Sequence, residues 1–92
     1  MNVDFICTAN HPDRSEERDW SARFSLPASV ASNINKLCEF AWEHGIPRYA
    51  LMEIQTDLGI FSHPQARNRT RRKDAKDFVF KSWEQLEQEE QQ

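Results

Sequence analysis

The clearest pattern in the chain is the run from Leu26 to Gly45. Val30, Ile34, Leu37, Cys38 and Ala41 recur at steps of three and four, which gathers them on one face at 3.6 residues per turn. Ser32, Asn33, Asn35, Lys36, Glu39 and Glu43 fall largely on the opposite side, and Phe40 and Trp42 widen the apolar surface. Leu26, Pro27 and Ser29 supply a start, because proline suits the first turn and serine can cap free amides. Gly45 supplies a left-handed cap and Pro47 blocks continuation. The pattern predicts one long amphipathic helix, which needs an apolar surface to pack on.

The flanking segments have period two and predict that surface to be a sheet. Val3, Phe5 and Cys7 alternate with Asp4 and Thr8, with Ile6 as the exception, giving a first strand. Trp20, Ala22, Phe24 and Leu26 alternate with Ser21, Arg23 and Ser25, giving a second. Between them Asn10 to Asp19 carries His-Pro-Asp and a charged run, the pattern of a solvated loop, and two strands so joined pair antiparallel.

Beyond Pro47, Tyr49 to Ile54 fits either a short helix ending at Gly59 or a buried strand. The Gly-Ile-Pro break and the need to cover the helix face favour the strand. Asp57 to Gly59 reads as a turn, after which Ile60 and Phe61 either begin a short returning strand or tuck under the sheet. Asp77 to Trp83 also fits two elements. Ala75, Val79, Ser82, Trp83 and Leu86 have helical spacing, but such a helix would set arginines at its positive end and glutamates at its negative end. The density of Phe78-Val79-Phe80 favours a last strand. The Glu/Gln-rich tail, residues 85–92, is expected to fray or to be weakly helical.

These elements predict an α+β fold: an antiparallel sheet of three or four strands with one main helix packed on one face. Val30, Ile34, Leu37, Cys38 and Ala41 are expected to meet Val3, Phe5, Phe24, Leu51, Ile54 and some of Phe78, Val79 and Trp83. Ninety-two residues predict a single domain, 1–92, and three tryptophans with six phenylalanines give it the means to form a core.

Composition changes this picture in a few respects. The net charge of -3 and mean hydropathy of -0.84 describe a strongly polar, mildly acidic surface. No apolar run approaches a membrane span, and the N-terminus lacks the basic-then-apolar pattern of a secretory signal, so the expectation is a cytoplasmic protein with no membrane partner. Cys7 and Cys38 are too few and too far apart for a disulfide framework and read as small buried hydrophobes.

Candidate chemistry is sparse. Cys7, His11, Cys38, His44 and His63 are the residues that could hold a metal, but only Cys7 and His11 are close in sequence and no second ligand pair answers them, so no metal site is expected. His44 is better placed to interact with the dipole at a helix C-terminus. There is no nucleophile elbow and no glycine-rich phosphate loop, and two glycines in the whole chain make a phosphate cradle a poor fit. Glu16 with Glu17 and Glu39 with Glu43 read as solvated faces. The expectation is a protein that is not an enzyme, with no catalytic residue, cofactor or small-molecule substrate.

One constellation stands out. The segment from His63 to Lys76 has no apolar side chain larger than alanine apart from Pro64, and reads as exposed and basic. Arg67, Arg69, Arg71, Arg72, Lys73 and Lys76, less Asp74, give a local charge of +5 in a chain whose total is -3. Arginine predominates, and its planar fork suits bidentate contact with phosphate. The segment is either a solvated loop, neutralised by nearby acids, or a contact surface for an RNA or DNA backbone. Asp13, Glu16, Glu17, Asp19 and the late glutamates offer an opposite surface, so the distribution suits a mixed target of protein and nucleic acid.

In size, acidity, single-domain build and lack of catalytic motifs the chain resembles the small phage-encoded inhibitors of bacterial defence, the anti-CRISPR proteins among them, which share no common sequence. That resemblance implies a phage protein in the host cytoplasm that binds a bacterial protein or ribonucleoprotein complex, a CRISPR surveillance complex, and blocks its target DNA by occlusion. The alternative is a small accessory or regulatory protein that binds DNA or RNA directly through its basic segment.

Overall fold

The computed structural model describes residues 2–10, 19–31, 33–68 and 71–90. The fold is α+β, with strands β1 (Asn2–Asn10), β2 (Asp19–Pro27), β3 (Leu51–Gln55), β4 (Gly59–Ser62) and β5 (Val79–Ser82). The helices are α1 (Ala28–Ala31), α2 (Ile34–Glu43) and α3 (Trp83–Glu90), and a 3-10 turn covers Ala75–Asp77. The five strands form one antiparallel sheet in the order β2-β1-β3-β4-β5. The sheet therefore has five strands where the hydrophobic pattern predicts three or four. The short β4 accounts for the difference, since Ile60 and Phe61 are its only large apolar residues and make too brief a signal.

β1 and β2 pair in full register from Asn2 with Pro27 to Asn10 with Asp19. The loop expected between them, with His11, Asp13, Glu16 and Glu17, lies outside the described residues. β1 also pairs with β3, with a register shift between Thr8 and Ala9. Tyr49–Ile54 and Asp77–Trp83, the two stretches open between helix and strand, both supply strands.

The long helix expected from Leu26 to Gly45 is divided. Leu26 and Pro27 finish β2, an edge strand, where a residue without an N–H costs the ladder little. α1 then makes a single turn, and Asn33 begins α2 anew, its side-chain oxygen accepting from the Asn35 N–H at 2.9 Å. A short polar side chain that satisfies a free amide favours a fresh start over continuation. The end is as the sequence predicts. Gly45 takes φ +96°, its N–H donates to the Trp42 carbonyl, and the Ile46 N–H donates to the Ala41 carbonyl at 3.1 Å. Those two bonds satisfy carbonyls that the last turn leaves open, and buried Ile46 seals the exit.

Leu37, Cys38 and Ala41 of α2 share one buried cluster with Phe5, Cys7, Ala9, Ile46, Ala50, Leu51, Ile54 and Phe78. Phe5, Phe24 and Phe40 add a cluster of tilted and edge-on rings at 5.2–5.9 Å. Val79 and Trp83, two of the residues offered for the core, are instead exposed. Val79 alternates away from Phe78 on the edge strand, and Trp83 turns back to donate its indole N–H to the carbonyls of Thr56 and Asp57. Gly59 is required where β4 meets β5, because a Cβ there would collide with the Lys81 carbonyl oxygen and Ser82 Cα. Among the described residues no helix is long and apolar enough to cross a membrane.

Candidate nucleic-acid interface

The basic segment leaves the sheet at the end of β4 and returns at β5, and two buried side chains give it shape. The first is His63, 5% exposed, whose N–H donates to the Met52 carbonyl and extends the β3–β4 ladder by one bond. Its Nδ1 accepts from the Gln65 N–H at 3.1 Å, so the neutral ring carries its proton on Nε2. The ring stands edge-on to Phe78 at 5.2 Å, and Nε2, with no hydrogen-bond partner, lies 4.0 Å from the Asp77 carboxylate. Successive turns follow, with Ala66 N–H donating to His63 O, Asn68 to Gln65 and Arg71 to Asn68.

The second is Lys73. The sequence places it in the exposed basic surface, and the structure buries it fully. Its ammonium donates to the carbonyls of Asn68 and Arg71, drawing the two ends of the arginine-rich turn onto one point. An ammonium has three donors and no acceptor, so a pair of converging carbonyls is a natural seat for it. Burial, and then the Arg71 guanidinium, push its pKa below the ordinary 10.5.

Around this anchor Arg67, Arg71, Arg72 and Lys76 are exposed, and Asp74 and Asp77 are half-buried. Arg69 lies outside the described residues. The structure thus keeps four of the six predicted cations on the surface and turns a fifth inward as a support. The sequence holds no separate signal for that role, since Lys73 reads as one cation among several. Its recognition depends on carbonyls brought together by the turn.

Burial, followed by Lys73, holds the His63 pKa below its usual 6.5, with Asp77 acting in the opposite direction. The unfolded chain therefore takes up a proton at this residue before the folded chain does. Stability at His63 is complete above about pH 6.5 and declines as pH falls from there towards the depressed folded value. Urea titrations across this range are expected to show that decline in the native protein and a shallower one in His63→Gln; identical slopes would remove His63 as its source.

The other candidates do not assemble. Cys7 and Cys38 are buried, which pushes both thiols up to about 12 and leaves neither a ready nucleophile nor a ready ligand. His44 stacks on Phe40 at 4.0 Å, with Nδ1 2.8 Å from the Phe40 carbonyl, a structural use of the ring at the end of α2. No cluster of three His, Cys, Asp or Glu residues that could hold a metal occurs among the described residues. His11 lies outside them.

A second feature carries no signal in the sequence. An apolar cavity of about 400 Å³ opens beside β5, lined by Val3, Ala28, Thr56, Asp57, Leu58, Phe61 and Phe80. It forms because residues from β1, α1, the β3–β4 turn, β4 and β5 converge at one end of the sheet. Compared with protein-family models, curated proteins and solved structures, the chain matches none.

Proposed function

We propose that this chain is a non-enzymatic inhibitor that binds a bacterial nucleoprotein defence complex, a CRISPR surveillance complex, and blocks its access to target DNA. Arg67, Arg71, Arg72 and Lys76 lie against the RNA or DNA backbone in this reading, and the remainder of the surface meets protein. The observation that carries it is the buried Lys73 ammonium. The ammonium ties the Asn68 and Arg71 carbonyls together, so the backbone at Arg71 and beside Arg67 and Arg72 is ordered before any partner arrives and less ordering entropy opposes binding.

Two further features favour a mixed target over bare duplex. The net charge is -3, and exposed Glu84, Glu87, Glu89 and Glu90 follow β5 closely, so a long run of phosphates would meet repulsion beyond the basic turn. Arginine contacts to phosphate position a nucleic acid without reading its bases, which suits a protein that occupies a site. Inhibition by occlusion requires only affinity and placement, and no cofactor.

The combined substitution Arg67→Ala, Arg71→Ala and Arg72→Ala is expected to leave the fold intact by circular dichroism. It should weaken binding to the assembled complex by tenfold or more, about 1.4 kcal/mol. If all three cations meet duplex phosphates, the slope of log affinity against log salt should fall by roughly 3. Unchanged affinity and slope would remove the basic turn from the interface. Free nucleic acid at moderate salt should bind poorly to the native protein; tight binding there would favour the direct DNA- or RNA-binding alternative.

A further inference from the structure

His63 closes the basic turn onto the sheet. It follows Ser62 at the end of β4, and its N–H still donates to the Met52 carbonyl of β3. From there the turn is tied back to His63 twice. The ring Nδ1 accepts from the Gln65 N–H, and the His63 carbonyl accepts from the Ala66 N–H, both at 3.1 Å. Because Nδ1 is an acceptor, the one ring proton sits on Nε2 and a second proton has only Nδ1 to occupy. Two N–H donors then face each other, and the Gln65 bond is lost.

The seat is also a poor one for a charged ring. The side chain is 3% exposed and stands edge-on to Phe78. Lys73 and Arg71, from the turn, oppose a positive charge there, while Asp77 and Asp74, from the 3-10 turn and its N-terminal flank, favour it. The Asp77 carboxylate is 4.0 Å from Nε2 but 43% exposed, so water screens its attraction. The Lys73 ammonium is buried and cannot withdraw without giving up the Asn68 and Arg71 carbonyls. A ring in water meets none of these costs, so proton uptake favours the state in which His63 has left its seat.

We propose that His63 is an acid-sensitive latch on the basic turn. A proton on Nδ1 breaks the bond to the Gln65 N–H, sets an imidazolium beside the Lys73 ammonium, and releases the turn between His63 and Lys73 while the sheet stays folded. The release is local because His63 lies beyond the end of the β3–β4 pairing, whereas Phe5, Leu51 and Ile54 lie in the central cluster. The latch concerns the order of the turn itself and is independent of the nucleic-acid reading.

NMR of the whole chain between about pH 7.5 and pH 5 tests it, with the His63 ring Cε1–H shift reporting its protonation. Along that titration the backbone order parameters of Gln65, Ala66 and Arg71 should fall from the roughly 0.85 of rigid backbone to below about 0.6, while those of β1 and β3 hold. His63→Asn keeps an acceptor for the Gln65 N–H, in the manner of an Asx turn, and has no ring to protonate, so its turn should stay ordered throughout. A ring that titrates while the turn amides remain rigid would overturn the proposal, since Asp77 would then hold the imidazolium in place. Loosening that spreads to β1 and β3, or that appears equally in His63→Asn, would overturn it as well.

Discussion

Phe5→Ala should lower the free energy of unfolding by about 3 to 5 kcal/mol, the range for emptying a large aromatic site in a well-packed core. Phe5 is 1% exposed, lies in β1 between two neighbouring strands, and touches both the Phe24 and Phe40 rings. Its loss removes apolar burial and two aromatic contacts together, and the surrounding backbone is held by ladders that cannot collapse onto the space. Small domains have roughly 5 to 15 kcal/mol in total, so the variant should have a markedly lower urea midpoint or be partly unfolded at room temperature. An unchanged midpoint would contradict the placement of the core between α2 and the sheet.

Lys73→Met has a smaller effect on stability and a larger one on the basic turn. Methionine keeps much of the buried stem and deletes the ammonium, removing the donor to the Arg71 carbonyl and leaving the Asn68 carbonyl only the Arg71 N–H. The cost of losing these bonds to a charged donor is about 1 to 3 kcal/mol, partly offset because the ammonium no longer has to be taken out of water. The opening of the turn should register directly as faster trypsin cleavage within residues 67–72, on the order of tenfold for each 1.4 kcal/mol by which the closed turn is weakened. Binding to the proposed nucleoprotein partner should weaken although Lys73 has no exposed charge to contribute. If cleavage and binding both stay at native values, the ammonium does not organise the turn.

The contrast between these residues shows what the sequence discloses. Phe5 and Phe24 sit in segments whose alternation reveals their inward face, and the antiparallel pairing of β1 and β2 follows from their chain neighbourhood. The end of α2 was legible because Gly45 and Pro47 act through local geometry alone. Its beginning was not, because the apolar spacing runs smoothly through the point where Asn33 caps a new helix. β4 escaped a firm assignment because strand pairing on both sides stabilises a segment too short to show a period.

The basic turn was visible as composition, and its architecture was hidden. Charge marks Arg67, Arg71, Arg72 and Lys76 as surface residues, and the same charge argues against burying Lys73. What reverses the expectation is a pair of carbonyls assembled by the turn itself, a tertiary arrangement without a local code. The apolar cavity and the exposed Val79 of β5 were hidden for a related reason. They depend on which strands end up outermost, and no spacing within Val79–Ser82 announces that.

The central claim is that this protein acts by binding an assembled nucleoprotein complex. Affinity capture from a bacterial lysate, with and without nuclease treatment and read by mass spectrometry, tests it most directly. The account predicts recovery of a defined ribonucleoprotein that survives nuclease, retained by the native protein and reduced with the Arg67, Arg71 and Arg72 alanine variant. Recovery of only heterogeneous material that disappears on nuclease treatment would contradict it.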